Sequence, residues 1–121
     1  MSCYVCASSN TEKHHIIKRS QCKALIKCDL NLVELCPAHH RGHNGVHGKN
    51  GHALDLRLKR NFQNKLNALF TDEYITSAEI FNTLQITNAC VDRLTKHLKL
   101  YKDGYLKEDV IRACMGGRLY E

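Results

Sequence analysis

The 121-residue chain has no tryptophan, one proline, 7% aromatic residues and no long apolar run. No aromatic-rich stretch of the kind that builds a base-stacking sheet platform is visible, which tilts against RNA as the target. No apolar run approaches the ~20 residues needed to cross a bilayer, so no membrane partner is expected. There is no internal repeat and no low-complexity tract. The opening Met-Ser-Cys-Tyr-Val-Cys lacks the charged and apolar regions of a signal peptide, so a reducing, cytoplasmic setting is expected. There, an odd count of seven cysteines argues for metal binding over disulfides. Acidic residues are scarce in the first half only. Residues 1–70 carry eleven Lys/Arg against four Asp/Glu (+7), and residues 71–121 carry seven against eight (−1), which sums to the net +6. With a pI near 9.0, the basic first half carries a modest electrostatic footprint for a polyanion.

What is abundant is ligand chemistry, and it is concentrated. Seven of eight histidines and five of seven cysteines fall within residues 1–52. A lobe of that size rarely supplies its own core and usually needs a staple such as a metal. Cys3-x-x-Cys6 and Cys36-x-x-His39 form two knuckles separated by a 29-residue loop. Each spacing lets both side chains turn toward one ion, and three thiolates with one imidazole complete a tetrahedral Zn²⁺ shell. Burying them around zinc contributes the folding energy that the small core lacks. Cys22 and Cys28 border a basic and apolar stretch and read as packing residues.

The remaining histidines read as a second, reactive site. His14 and His15 are adjacent, so on a strand they point to opposite faces, one free to ligate and the other to act as a base. His40 follows the last zinc ligand directly. His43 and His47 come within one or two turns of it if a helix continues there. Two or three imidazoles around a divalent ion leave water positions open, as hydrolysis requires. Ile16-Ile17 and the alternating run from Asn31 to Leu35 suggest a short two-stranded ribbon. Gly42, Gly45, Gly48 and Gly51 mark a loop or broken helix. Ala53 to Phe70 has apolar residues at 54, 58, 62, 66, 69 and 70, which is helical spacing, with Arg57, Lys59, Arg60 and Lys65 on the remaining surface.

The order Cys-x₂-Cys, His-His-Ile-Ile, Asn-Leu-Val-x-Leu-Cys-x₂-His-His and a later Gly-Val-His resembles the HNH (ββα-metal) endonuclease family. It is most similar to small zinc-containing members encoded by bacteriophages. The resemblance covers residues 3–47 and extends to the helix at 54–70. It implies His14 as the first ligand of a catalytic ion, His15 as the general base, Asn31 as the brace of the loop holding that base, and His40 as the second ligand. The family's last ligand position falls on Asn44, so the third ligand stays open between His47, His43 and Asn44. The implied cofactors are one structural Zn²⁺ and one catalytic Mg²⁺ or Mn²⁺. The implied reaction is phosphodiester hydrolysis in double-stranded DNA, nicking or cutting both strands, in a bacterial host of a phage or prophage. Lys13, Lys18, Arg19 and Arg41 flank the site as candidate phosphate clamps, and Arg57 and Arg60 as further DNA contacts.

The third segment has its own pattern. Ser77 to Ile80 opens a helix with Ile80 and Leu84 inward. Gln85-Ile86 turns the chain, and Thr87 caps a second helix with Val91, Leu94 and Leu98 inward. A tight turn, a short strand and a further helix follow from Tyr101 to Ile111. This is similar to the helix-turn-helix of excisionase or MerR-type domains, which implies Asn88, Asp92, Arg93 and Lys96 on an outward, DNA-reading face. The expected architecture is α+β: a zinc-stapled ββα-metal domain over residues 1–52, a connecting helix over 53–71, and a helix-turn-helix-like DNA-binding or docking lobe over 72–121. A homodimer is compatible with this plan. The competing expectation is a non-catalytic zinc-finger DNA-binding protein, for which a free His15 would serve no purpose.

Overall fold

In the computed structural model, which describes residues 2–121, the chain is a small mixed α/β fold. Strands β1 (Glu12–His15) and β2 (Leu32–Leu35) pair antiparallel, with His14 opposite Val33. The ribbon is therefore shifted from its expected extent: Ile16 and Ile17 lie beyond β1, and Asn31 ends a single-turn helix, Asp29–Asn31. The shift follows from burial. Ile17 and Asn31 are fully enclosed, and the chain leaves the ribbon there to fill the core.

Asn31 organises the long connection between the strands. Its Oδ1 accepts from the Ile17 N–H at 2.7 Å, and its Nδ2 donates to the carbonyls of Ile17 and Leu25 at 3.1 and 3.3 Å. Buried polar groups must be paired, and one amide here satisfies three backbone partners. Asn31→Ala should therefore cost about 1–3 kcal/mol by orphaning the Ile17 N–H. A urea titration followed by circular dichroism checks this, and an unchanged midpoint would count against it.

Helix α1 (Pro37–His40) starts on Pro37, whose fixed φ suits the first helical position, and stops after four residues. Beyond His40 the chain is the loop that its glycines predict, and no helix continues there. The segment winds instead through turns closed by Gly45 N–H to Gly42 O (2.9 Å) and Gly48 N–H to Gly45 O (2.8 Å). These turns press backbone on backbone: a Cβ at Gly48 would collide with the carbonyls of Gly42 and His43.

Helix α2 (His52–Leu69) buries Leu58, Phe62 and Leu66 along one stripe, with Phe70 just beyond its end. Two expectations fail here. Leu69 is exposed, because α2 ends there and Phe70, one residue further, takes the inward place. Lys59 is buried rather than on the surface: its ammonium pairs with Asp55 at 2.9 Å and lies over the Tyr120 ring, 5.5 Å from its centre.

Strand β3 (Tyr74–Ile75) leads into α3 (Ser77–Leu84), whose N-terminus is closed by a reciprocal box between Thr76 and Glu79. Gln85, in the left-handed region at φ 53°, ends α3, and the Thr87 hydroxyl caps α4 (Asn88–Thr95) through the Cys90 N–H. Leu98 lies past the end of α4 and is only half-buried. Strands β4 (Leu100–Tyr101) and β5 (Gly104–Leu106) form a hairpin, and β5 also pairs with β3, before α5 (Lys107–Cys114). Gly104 sits at φ 130° with its Cα against Ile75, where a Cβ would stand 2.6 Å from the carbonyl oxygen.

The buried residues form one cluster across the chain. Ile17, Leu25, Cys28 and Leu35 from the ligand-rich part join Leu84, Val91, Cys114 and Met115 from the last part. Residues Lys23–Leu25 pack against α4, and the Cys28 thiol donates to the Leu84 carbonyl at 3.3 Å. Among the described residues no helix is long and apolar enough to cross a membrane.

Candidate metal centres

The two knuckles converge. Cys3, Cys6, Cys36 and His39 present donor atoms that all lie within 4.8 Å of one another. The separations are 3.6 Å for the Cys6 and Cys36 sulfurs, 3.2 Å from Cys36 to His39 Nδ1, and 3.8 Å from Cys3 to His39 Nδ1. Ligand bonds of ~2.3 Å around a tetrahedral ion imply edges of roughly 3.7 Å, so the cluster fits zinc. Burial acts to raise the Cys3 thiol, but N–H groups of Cys36, Cys6 and Val5 aimed at its sulfur lower it to about 6, toward the thiolate a metal needs. The knuckle is also pinned to α2: the Tyr4 hydroxyl accepts from Asn61 Nδ2 at 2.7 Å, and the Arg57 guanidinium lies 5.7 Å from the Tyr4 ring centre.

A second cluster joins His14 of β1, His40 at the end of α1, and His47. Their ring centres form a near-equilateral triangle with sides of 5.2, 5.0 and 4.9 Å. His47 arrives through the glycine turns, where Val46 N–H bonds to His39 O and His47 N–H to His40 O at 3.1 Å. Neither His43 nor Asn44 joins the triangle; both bond to Asn50, at 2.9 and 3.4 Å. His14 is buried, and its Nε2 has no hydrogen-bond partner. Burial first, then the neighbouring His47 and His40, depress His14 to about 4, so it is a neutral imidazole at neutral pH, the form that ligates. Burial and the charges of His40 and Lys18 lower His47 too. An orphaned, neutral nitrogen aimed among two other imidazoles fits a metal ligand.

Glu12 and Arg41 brace this triangle, a role for which Glu12 is not singled out from the sequence. The Glu12 Oε1 accepts from His40 Nδ1 at 2.8 Å and from Arg41 Nε at 3.0 Å, while its Oε2 accepts from the second arm of Arg41 at 2.8 Å. The His40 hydrogen bond, followed by Arg41, holds the Glu12 carboxyl below its usual range. A carboxylate on Nδ1 fixes the His40 tautomer with Nε2 free for an ion. Arg41 is thus engaged in an ion pair with Glu12. The available signal was Glu12 standing two residues before His14, on the same strand face. Glu12→Gln should weaken metal binding at the triangle about 10–100-fold, measured by calorimetric titration with Mn²⁺. Unchanged affinity would remove Glu12 from the site.

His15 is not one of the triangle's three donors, and its Nε2 lies 2.9 Å from the Ile26 carbonyl oxygen. A carbonyl only accepts, so Nε2 carries the proton and Nδ1 is left as a base. Lys13, Lys18 and Arg19 line one cleft of about 260 Å³ together with His14, His15, His40 and His47. Arg57 and Arg60 are exposed on α2, and Asn88, Asp92, Arg93 and Lys96 are exposed on or just after α4. Cys22 and Cys28 are buried, and burial raises both thiols.

Comparison of the chain with protein-family models, with curated proteins and with solved structures finds no match. The fold and its clusters define a small mixed α/β protein with a Cys/His site that fits zinc.

Proposed function

We propose that this protein is a metal-dependent endonuclease of the HNH (ββα-metal) type, hydrolysing phosphodiester bonds in DNA. One observation carries the reading: a three-histidine triangle and a free, oriented imidazole share one cationic cleft. His14, His40 and His47 would hold a divalent ion. Three imidazoles without a carboxylate are a weak set for Mg²⁺, which prefers oxygen donors; Mn²⁺ tolerates imidazole better, and Zn²⁺ prefers it. When bound, the ion supplies charge neutralisation at the scissile phosphate and the leaving 3′ oxygen.

The chain's own residues do the rest. His15 Nδ1 takes a proton from the attacking water, while Nε2–H stays on the Ile26 carbonyl. Asn31 holds the connection in which Ile26 lies, through its bonds to Ile17 and Leu25. Lys13, Lys18 and Arg19 border the cleft with positive charge and orient the backbone phosphate. Glu12 and Arg41 keep His40 turned inward.

The test is incubation of zinc-loaded protein with supercoiled plasmid, with and without Mn²⁺ or Mg²⁺. Ion-dependent nicked or linear product with ligatable 5′-phosphate ends is expected. Intact plasmid with every divalent ion would refute the reading and leave a zinc-stapled DNA-binding module.

A further inference from the structure

The net charge of −1 over residues 71–121 conceals a segregation. From Arg93 to Lys102 there are four Lys/Arg, one histidine and no acid. Arg93, Lys96, His97, Lys99 and Lys102 are all exposed. Five ion pairs occur among the described residues, and none uses any of these side chains. Cations at a helix C-terminus gain from the helix dipole, which accounts for Lys96. It does not account for Lys99 and Lys102, which continue the row onto the β4–β5 hairpin.

The row stands on a rigid base. Val91 and Leu94 anchor α4 in the core, and the Leu98 N–H bonds to the Thr95 carbonyl at 2.9 Å, tying the end of α4 to the approach to the hairpin. The hairpin is clamped where Gly104 meets Ile75, and by the Tyr74 and Tyr101 rings, 5.5 Å apart. The backbone beneath the lysines is therefore ordered before any partner arrives, and only their side chains remain to be ordered on binding.

We infer that Lys96, Lys99 and Lys102 form a second anionic-backbone contact that grips duplex nucleic acid away from the cleft. The choice of duplex, which rests on the proposed nuclease function, comes from the surroundings of the charge. The aromatic ring of the row, Tyr101, is half-buried and covered by the Lys99 ammonium at 4.8 Å, so no stacking face is offered to single-stranded bases. One exposed leucine, Leu100, is too little apolar surface for a lipid interface. What remains is a run of exposed cations three residues apart in sequence with no acid between them, a charge pattern suited to phosphates, and phosphate contacts position a protein without reading sequence.

The experiment compares wild type with the triple variant K96Q/K99Q/K102Q, whose side chains are exposed and whose fold is verified by circular dichroism and zinc content. Anisotropy with a 30-base-pair duplex is measured across a salt series, beside plasmid cleavage. The expected result is at least tenfold weaker binding at low salt and a slope of log affinity against log salt smaller by about 2–3, since each lost phosphate contact removes ~0.9. Unchanged affinity and slope, or a wild type that binds no duplex, overturns the inference. So does tighter row-dependent binding of poly-glutamate than of duplex. The two readings separate cleanly. Cleavage by wild type with an unaffected triple variant sinks the second contact alone, whereas row-dependent binding without cleavage sinks the nuclease alone.

Discussion

Breaking the Cys3, Cys6, Cys36 and His39 cluster should unfold the first part of the chain rather than loosen it. Cys6→Ser, or a strong chelator on wild type, removes an interaction worth about 10–16 kcal/mol in small zinc modules. That equals or exceeds the whole stability of an ordinary domain, about 5–15 kcal/mol. The local core cannot compensate, because Cys3 and Cys36 are themselves among its buried residues. The loss should also spread. Leu25 and Cys28, which pack with α4 and Leu84, lose their mould when β1 and β2 separate. Circular dichroism at 222 nm during titration with chelator, with released zinc read by a chromogenic dye, should show both signals change together. Zinc release without loss of ellipticity or melting temperature would refute the stapling role.

The second large effect is chemical. On the proposed nuclease reading, His15→Ala should lower the cleavage rate by about 10²–10⁴-fold, the usual contribution of a positioned base. Duplex affinity and Mn²⁺ binding should stay within a factor of about two, since His15 is not part of the triangle and its backbone pairing with Leu32 is unaffected. The imidazole accepts no structural duty beyond its bond to the Ile26 carbonyl. Added free imidazole should restore part of the rate. A variant that cleaves at the wild-type rate would move the base elsewhere in the cleft, and one that loses Mn²⁺ as well would recast His15 as a ligand.

The parts that were legible in the sequence are those fixed by short spacing. Two x₂ knuckles announce a four-donor cluster because neighbours three residues apart face one point. The stripe of α2 and the cap at Thr87 are likewise local. Which of His43, Asn44 and His47 comes to lie beside His14 and His40 was not local. It is decided by glycine turns that fold residues 42–51 back onto α1, a path that no helical or strand period describes. Glu12 escaped notice because its partners are 28 and 29 residues away. Lys59 was misplaced because a charged side chain inside a helix looks solvated until Asp55 and the Tyr120 ring are seen around it. The two-residue strand β3 carries too short a pattern to be read at all; its pairing with β5 defines it.

The single core also limits how this chain can be recombined. Its ligand-bearing part and its terminal helices look in sequence like exchangeable cassettes, yet Leu25 and Cys28 on one side and Leu84, Val91 and Met115 on the other are halves of one interior. A fragment ending near residue 71 would present that half-interior to water as a sticky apolar face. Any transplant of the terminal helices onto another protein would have to carry a replacement for residues 17–28. Cutting, swapping and grafting here are problems of interior design, and a convenient linker would not solve them.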